Sequence, residues 1–347
     1  MKQTNSKGKQ KRVVLVDSDI LIYRVAAACE VRSVEIKHNK TGRVKVFKNK
    51  TAFKDFLKEK EFEYVQDDYT FTDLQQVNED MSWQFILNNQ IKSFKETLWG
   101  DELIFLISGK GNFRDELPLP KKYKGNRDDM PKPLLRQDCK EYLKGKYKAV
   151  VIDGEEVDDA VIWMGYEYLA KGYEVIIVTT DKDANAYSGL KLYNYTADKP
   201  EIVEIPDLGS LWLDDKGKVR GLGFLWYCLQ HLCADKTDGM NVGDLTGVKY
   251  GERSAYNLLK DCKSEHEALG LVITKYKEWF GAGLKDYTDY LGNKREINWL
   301  SAADLYFKGI RMREEKGALP DFKSFAAKWR HTLVCENINN IIRDVPK

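Results

Sequence analysis

The stretch VVLVDSD (13–19) decides how this chain is read. Four consecutive aliphatic residues between polar flanks fit a short strand buried on both faces, as parallel sheets require. Asp17 then stands where the strand emerges. The apolar segment ILIYRVAAACE (20–30) that follows is helix-like, so Ser18 or Asp19 is a natural cap and Asp17 is left for chemistry.

Three further acidic blocks accompany it. GEEVDDA (154–160) places four acids in five positions, with Glu156 and Asp159 on one side of a starting helix. A helix dipole alone does not call for so many, because their mutual repulsion exceeds what it returns. In VIIVTTDKD (175–183) Asp181 and Asp183 follow an apolar strand and project to one face of extended chain. In CADKTDG (233–239) Asp235 and Asp238 follow an amphipathic segment. A fold that gathers these blocks concentrates about eight negative charges, which coexist only with divalent cations or protons present. Hard oxygen donors favour Mg²⁺ or Mn²⁺ over zinc. The pattern points to metal-assisted phosphodiester chemistry.

Strand-like runs at 13–16, 103–107, 149–152, 175–178 and 192–195 alternate with helix-length segments near 20–29, 82–98, 132–146 and 156–171. Such alternation predicts an α/β fold with a mainly parallel central sheet flanked by helices. Ligands of open α/β sheets gather beyond the C-terminal strand ends, where separate acidic blocks can meet. Residues 33–50 alternate around Asn-Lys-Thr-Gly and predict an inserted hairpin, whereas 54–80 reads as helical fragments and loop. From Leu222 the pattern turns mostly helical, ending in a bundle near Asn339. Its Trp279, Phe280, Trp299, Phe307 and Trp329 read as core or docking aromatics. The expected organisation is a basic disordered tail at 1–12, an α/β core at 13–220 with a basic clamp near 108–133, and a helical C-terminal region at 221–347.

The 347 residues suffice for a full core plus an appendage, and 43% hydrophobic with 32% charged residues is ordinary for a globular protein. No apolar stretch has the ~20 residues of a membrane span. Six scattered cysteines without CxxC spacing read as reduced thiols, and the expected compartment is the cytoplasm. Net charge is only +2, but with eight carboxylates committed to metal the remainder carries about +10. Residues 108–148 hold twelve Lys or Arg against six Asp or Glu, which suits a phosphate-rich partner. Pro118, Pro120, Pro131 and Pro133 bracket the clamp and predict a short, mobile element, not long arch helices. Lys124 and Arg127, at i and i+3, can aim at one phosphate, which Arg can grip bidentately.

Taken in order, these motifs resemble the flap endonuclease and 5′→3′ exonuclease family, especially its bacteriophage members. VDSD is similar to the family's first-strand aspartate, and NFRDELPLPKKYKGNRDD (112–129) to its arch or clamp segment. The three other acidic blocks resemble the family's Glu-Ala-Asp-Asp, Ser/Thr-Asp-x-Asp and Gly-Asp-x-x-Asp motifs. GVKYGERSAYNLL (247–259) resembles its Gly-rich helix–two-turn–helix. The resemblance runs from about residue 12 to 262. It implies that Asp17, Glu156, Asp158, Asp159, Asp181, Asp183, Asp235 and Asp238 hold two divalent ions per active site. It further implies that Lys124 and Arg127 approach the scissile phosphate with help from Arg114, and that Tyr123 stacks on a terminal base. Lys121, Lys249 and Arg253 complete the expected substrate contacts. The implied partner is DNA with a 5′ end (duplex end, flap or RNA–DNA hybrid), bound without sequence preference by a monomer in a phage-infected cell, during phage DNA replication or host DNA degradation.

Three positions depart from the family pattern. Gly109 stands where many relatives carry an aspartate, Ala234 replaces a glycine, and Lys249 occupies the middle of the Gly-x-Gly-x-Gly turn. A catalytically weak protein that binds branched DNA is the alternative left open by Gly109. VVLVDSDILIY also fits a haloacid-dehalogenase-type phosphatase opening, which leaves the basic segment unexplained. A small PIN-type endoribonuclease shares the acidic core without the basic insertion or the helical Gly-rich region. His38, His231, His266 and His331 lie apart from the acidic blocks, so no His-based triad competes.

Overall fold

The computed structural model describes residues 10–127 and 130–328. The chain runs β1 (Arg12–Asp17), α1 (Ser18–Ala28), β2 (Glu30–His38), β3 (Val44–Phe47), α2 (Lys50–Glu59), β4 (Tyr69–Val77), α3 (Trp83–Leu98), β5 (Glu102–Ser108) and α4 (Arg136–Tyr147). It continues with β6 (Val150–Ile152), α5 (Val157–Ala170), β7 (Glu174–Val178), β8 (Lys191–Tyr193), β9 (Ile202–Glu204) and a hairpin of β10 (Ser210–Leu213) and β11 (Val219–Leu222). The last part comprises α6 (Gly223–Cys233), α7 (Gly243–Thr246), α8 (Glu252–Leu259), α9 (Glu265–Phe280), the hairpin β12 (Lys285–Thr288) and β13 (Lys294–Ile297), α10 (Trp299–Ile310) and α11 (Phe322–Ala327). Most of the basic tail at 1–12, together with Trp329, His331, Cys335 and the end of the expected bundle, lies outside the described residues. Among the described residues, no helix is long and apolar enough to cross a membrane.

The protein is α/β, and its central sheet is mainly parallel. Strand order is β6-β5-β1-β7-β8-β9, with every pairing parallel except β8 with β9. β1 lies between β5 and β7, in register Val16 to Phe105 on one side and Val16 to Val178 on the other. Both its faces are therefore covered, which explains an unbroken aliphatic run in place of alternation. α5 packs over β1, β5 and β7.

The chain divides into two compact units, and the boundary does not fall at 220/221. Among the described residues, one unit comprises 10–18, 98–127, 130 and 149–328; the other comprises 19–97 and 131–148. In the first, a single core runs from Val13 and Leu15 through Trp163 and Ile177 into Trp226, Tyr276, Phe307 and Phe322. The sheet and the C-terminal helices thus share one interior, and Trp279 and Phe280 are buried in it as expected.

In the second unit, the hairpin expected over 33–50 forms between β2 and β3, with Val34 opposite Phe47. The segment 54–80 is not helical fragments and loop throughout. α2 covers its start, and β4 pairs with β2 from Glu30 opposite Val77 to His38 opposite Tyr69. Few apolar residues mark β4 (YTFTDLQQV), since its pairing is carried by backbone hydrogen bonds along a largely polar strand. The helical reading after Leu222 likewise omits β12 and β13, which are short and charged.

His231 shows how the helical core treats a titratable group. It is fully buried on α6 among Tyr276, Phe307 and Phe322. The Ala303 carbonyl, 2.9 Å from Nε2, can only accept, so the proton sits on Nε2. Nδ1 then accepts from the Tyr227 hydroxyl at 3.0 Å. Burial pushes the imidazole pKa down to about 4. Below pH 6.5 the unfolded chain takes up a proton that the folded one refuses, so stability falls from pH 6.5 towards 4 by about 3 kcal/mol. Urea unfolding of wild type and His231→Gln across that range should differ in slope, the variant lacking this component.

Candidate active site

Four of the acidic blocks come to the C-terminal edge of the parallel sheet. Asp17 ends β1, Glu156 caps α5 just beyond β6, and Asp181 caps a 3₁₀ turn (Lys182–Ala186) beyond β7. Asp235 caps a second such turn (Lys236–Asp238) after α6. Glu156, Asp158, Asp181, Asp183, Asp235 and Asp238 line one cavity, with Tyr123, Lys124 and Arg114. Asp17 is buried and accepts from Thr179 Oγ1 at 3.3 Å across the β1–β7 pairing. Among the described residues, no Cys or His lines this cavity.

The electrostatics follow from this crowding. Burial, then the charges of Asp17, Asp181 and Glu156, holds Asp158 well above the ordinary carboxylate range. Burial and the neighbouring Asp181 push Asp183 up to about 8. Asp181 and Asp238 are raised by burial too. Glu156 goes the other way. Burial would raise it, but Lys124 and Arg114 outweigh that and hold it low. The Tyr123 hydroxyl also donates to it at 3.0 Å.

The basic segment supplies these countercharges. Its described part, 108–127 and 130–133, contains two 3₁₀ turns (Phe113–Glu116 and Gly125–Arg127) and no long helix. Lys124 pairs with Glu156 and lies 3.8 Å from Asp238, while Arg127 pairs with Asp238. The backbone seats the segment as well, Lys124 N–H donating to the Asp238 carbonyl at 2.9 Å. This approach requires Gly239, where a Cβ would stand 2.6 Å from the Lys122 carbonyl oxygen. The cavity keeps about 30 Å³ of free space, room for about one water. Among the described residues, no three Asp, Glu, His or Cys side chains already converge on a single ion position.

Several expected site residues have other surroundings. Asp159 is 0% exposed and does not line the cavity. Arg114 binds both its oxygens, and Arg313 N–H donates to Oδ1 at 2.8 Å. Arg114 is buried in turn, donating to the carbonyls of Gly309 (2.8 Å) and Arg311 (3.1 Å). Four of its five N–H groups go to Asp159 and these carbonyls, and the fifth faces Glu156 at 3.4 Å. It therefore braces α5 against the end of α10 with no uncommitted hydrogen. Tyr123, 5% exposed and held by Glu156, presents no face for a base to stack on. Lys121 is exposed and paired with Asp244 at 2.9 Å. Lys249 and Arg253 are exposed around the start of α8, away from the cavity lining.

At Gly109, a Cβ would meet Asp153 Oδ1 at 2.0 Å, because that oxygen accepts from Lys110 N–H at 2.6 Å. A side chain at 109 would have to displace Asp153. Ala234 is not an innocuous replacement for glycine. At φ 51° and ψ −176° it adopts a conformation that glycine tolerates far better. Thr179 and Gln230, whose amide donates to Asp183, are site neighbours that no sequence motif announced.

No family model and no curated protein matches the chain. Among solved structures, it is similar to a bacteriophage T5 flap endonuclease in a pseudo-enzyme–product complex with DNA and metal ions. That similarity has 14% identity and a TM-score of 0.46, covering 96% of this chain and 97% of that one. A mutant of the T5 5′-exonuclease gives 12% and 0.44, over 96% and 98%. A T5 protein co-crystallised with metal ions gives 17% and 0.43, over 76% and 79%. With values this low, what the site can do rests on this chain's own residues.

Two expectations follow. Arg114→Gln leaves Asp159 buried without its cation and should cost about 3–5 kcal/mol in chemical denaturation; near-wild-type stability with lost activity would instead place Arg114 on the substrate. Ala234→Gly relieves the strained backbone and should stabilise the protein by about 1 kcal/mol, read as a raised urea midpoint.

Proposed function

We propose that this protein is a divalent-metal-dependent 5′-nuclease that hydrolyses DNA phosphodiesters, releasing 5′-phosphorylated products. The observation that carries the reading is one cavity lined by six carboxylates from three chain segments, faced by Lys124 and Arg127. Among the described residues the donors are carboxylate oxygens, without thiolate or imidazole, which fits Mg²⁺ or Mn²⁺. The raised pKa values of Asp158, Asp181 and Asp183 mark charge for which the protein's own cations do not suffice. The motif order that resembles the 5′-nuclease family supports the same reading.

In this proposal Glu156, Asp158, Asp181, Asp183, Asp235 and Asp238 would hold two ions, with Asp17 adding negative charge that acts on Asp158. Asp159 serves as the anchor for Arg114. Two such ions supply a polarised water and neutralise charge on the scissile phosphate and the leaving 3′-oxygen. Lys124 and Arg127 pair with Glu156 and Asp238, and would be free to turn to the phosphate where metal neutralised those carboxylates instead. Their spacing lets both reach one group, and Arg127 can bind it bidentately. Contacts to the backbone alone make binding salt-sensitive and indifferent to sequence. The substrate is DNA with a 5′ end (a duplex end, a flap, or the RNA strand of a hybrid), handled by a monomer during phage replication or host DNA breakdown.

Purified protein should degrade 5′-labelled duplex DNA with Mg²⁺ and stop in EDTA, and Asp181→Asn should abolish turnover while retaining DNA binding. Lys124→Ala separates the two roles of that residue. It should bind Mn²⁺ more tightly by calorimetry, because a competing cation is gone, yet cleave on the order of 100-fold more slowly. Lys122→Ala should leave both nearly unchanged. Robust cleavage in EDTA would defeat the two-metal reading.

A further inference from the structure

The second compact unit carries a pocket with no part in the chemistry above. It lies where α2 covers the three-stranded sheet β3-β2-β4 and has a volume of about 460 Å³. Five aromatic rings line it, among them Phe47, Phe56, Phe62 and Tyr69, together with Arg43, Lys45 and His38. No described residue of the lining is acidic. Only Val34, Ile36, Phe53 and Leu57 are fully buried beneath, so the rings around them form an open wall. Phe62 is 63% exposed.

The polar groups are arranged as donors. Lys45 Nζ stands 4.1 Å from the centre of the Phe56 ring and 5.2 Å from that of Phe47, a cation held over aromatic faces. Thr41 N–H donates to His38 Nδ1 at 3.2 Å, so the imidazole proton sits on Nε2 and makes that nitrogen a donor. A ligand matched to this site offers flat π faces to the rings and negative charge to the rim.

We propose that this pocket binds single-stranded nucleic acid, with a base stacked on the exposed Phe62 ring and the adjoining phosphates on Arg43 and Lys45. Stacking platforms edged by cations are the general solution for holding a single strand without reading its sequence. The charge complementarity of an all-basic rim favours a polyphosphate chain over a neutral apolar segment. The inference rests on the nuclease reading only in that a nucleic-acid enzyme meets such strands. The unit would then hold the unpaired part of a branched or tailed substrate.

The test uses full-length protein in EDTA and fluorescence anisotropy with two labelled probes, a short oligothymidylate and an abasic sugar-phosphate strand of equal length. Wild type should bind the oligothymidylate more tightly than the abasic strand. Phe62→Ala, a change at an exposed side chain, should lower oligothymidylate affinity about 5- to 100-fold and remove the discrimination. Arg43→Ala should weaken both probes and flatten the salt dependence. Equal affinity of wild type for the two probes, or unchanged binding by Phe62→Ala, would overturn the proposal. So would displacement of the strand from wild type and Phe62→Ala alike by an acidic, aromatic peptide that binds in a Phe62-dependent way. Cleavage of blunt duplex with Mg²⁺ is read separately: its absence beside intact probe discrimination removes the nuclease reading and upholds the pocket.

Discussion

Like charges brought together out of water repel, and the structure around the sheet edge is organised by that constraint. Each carboxylate in the cavity is positioned by an ordinary device, a strand end or a turn cap, and none is costly alone. Gathered, they hold one another's pKa values up, as at Asp158 and Asp183. The protein answers with cations of two kinds. Arg114 is locked in place by four interior acceptors, whereas Lys124 and Arg127 sit on a segment with access to solvent.

That distinction separates architecture from chemistry within a single motif. Asp158 and Asp159 are adjacent in sequence, yet helical geometry turns their side chains about 100° apart. One faces the cavity; the other is sealed against Arg114. The acidic block at 154–160 is therefore half site and half buttress. Glu155 belongs to the buttress as well, taking the Arg313 guanidinium at 2.9 Å. The buttress fixes α5 against the residues following α10, and α5 in turn fixes Glu156 and Asp158.

The parts of this arrangement that were legible in the sequence are those dictated by local chemistry. The aliphatic run at 13–16 and the capping pattern after it give β1 and α1 directly, and the Asn-Lys-Thr-Gly turn gives β2 and β3. β4 was hidden because its partner supplies the pairing and its side chains are mostly polar. The roles of Arg114 and Tyr123 were hidden for a different reason. Burial depends on what a distant segment, such as 309–313, brings over them, and no local spacing encodes that. Gly109 was legible as a departure, but its cause, the Asp153 carboxylate in the same space, required the fold.

Backbone strain locates the contact on which the proposed reaction turns. Lys124 and Ala234 both adopt φ 51°, and they flank the place where the basic segment lies on the Asp235–Asp238 turn. Such strain persists only where surrounding contacts over-determine it. Here those contacts are Lys124 N–H on the Asp238 carbonyl, Asn126 Nδ2 on the Thr237 carbonyl at 2.9 Å, and the close approach to Gly239. All three anchor on the turn's backbone, and none uses a carboxylate. The segment's seat is thus independent of the ion pairs its side chains make. Lys124 and Arg127 can leave Glu156 and Asp238 by rotating side-chain bonds alone, with the loop in place. In the proposed enzyme, freeing Glu156 and Asp238 for metal would therefore be a side-chain event, with the loop itself staying in place.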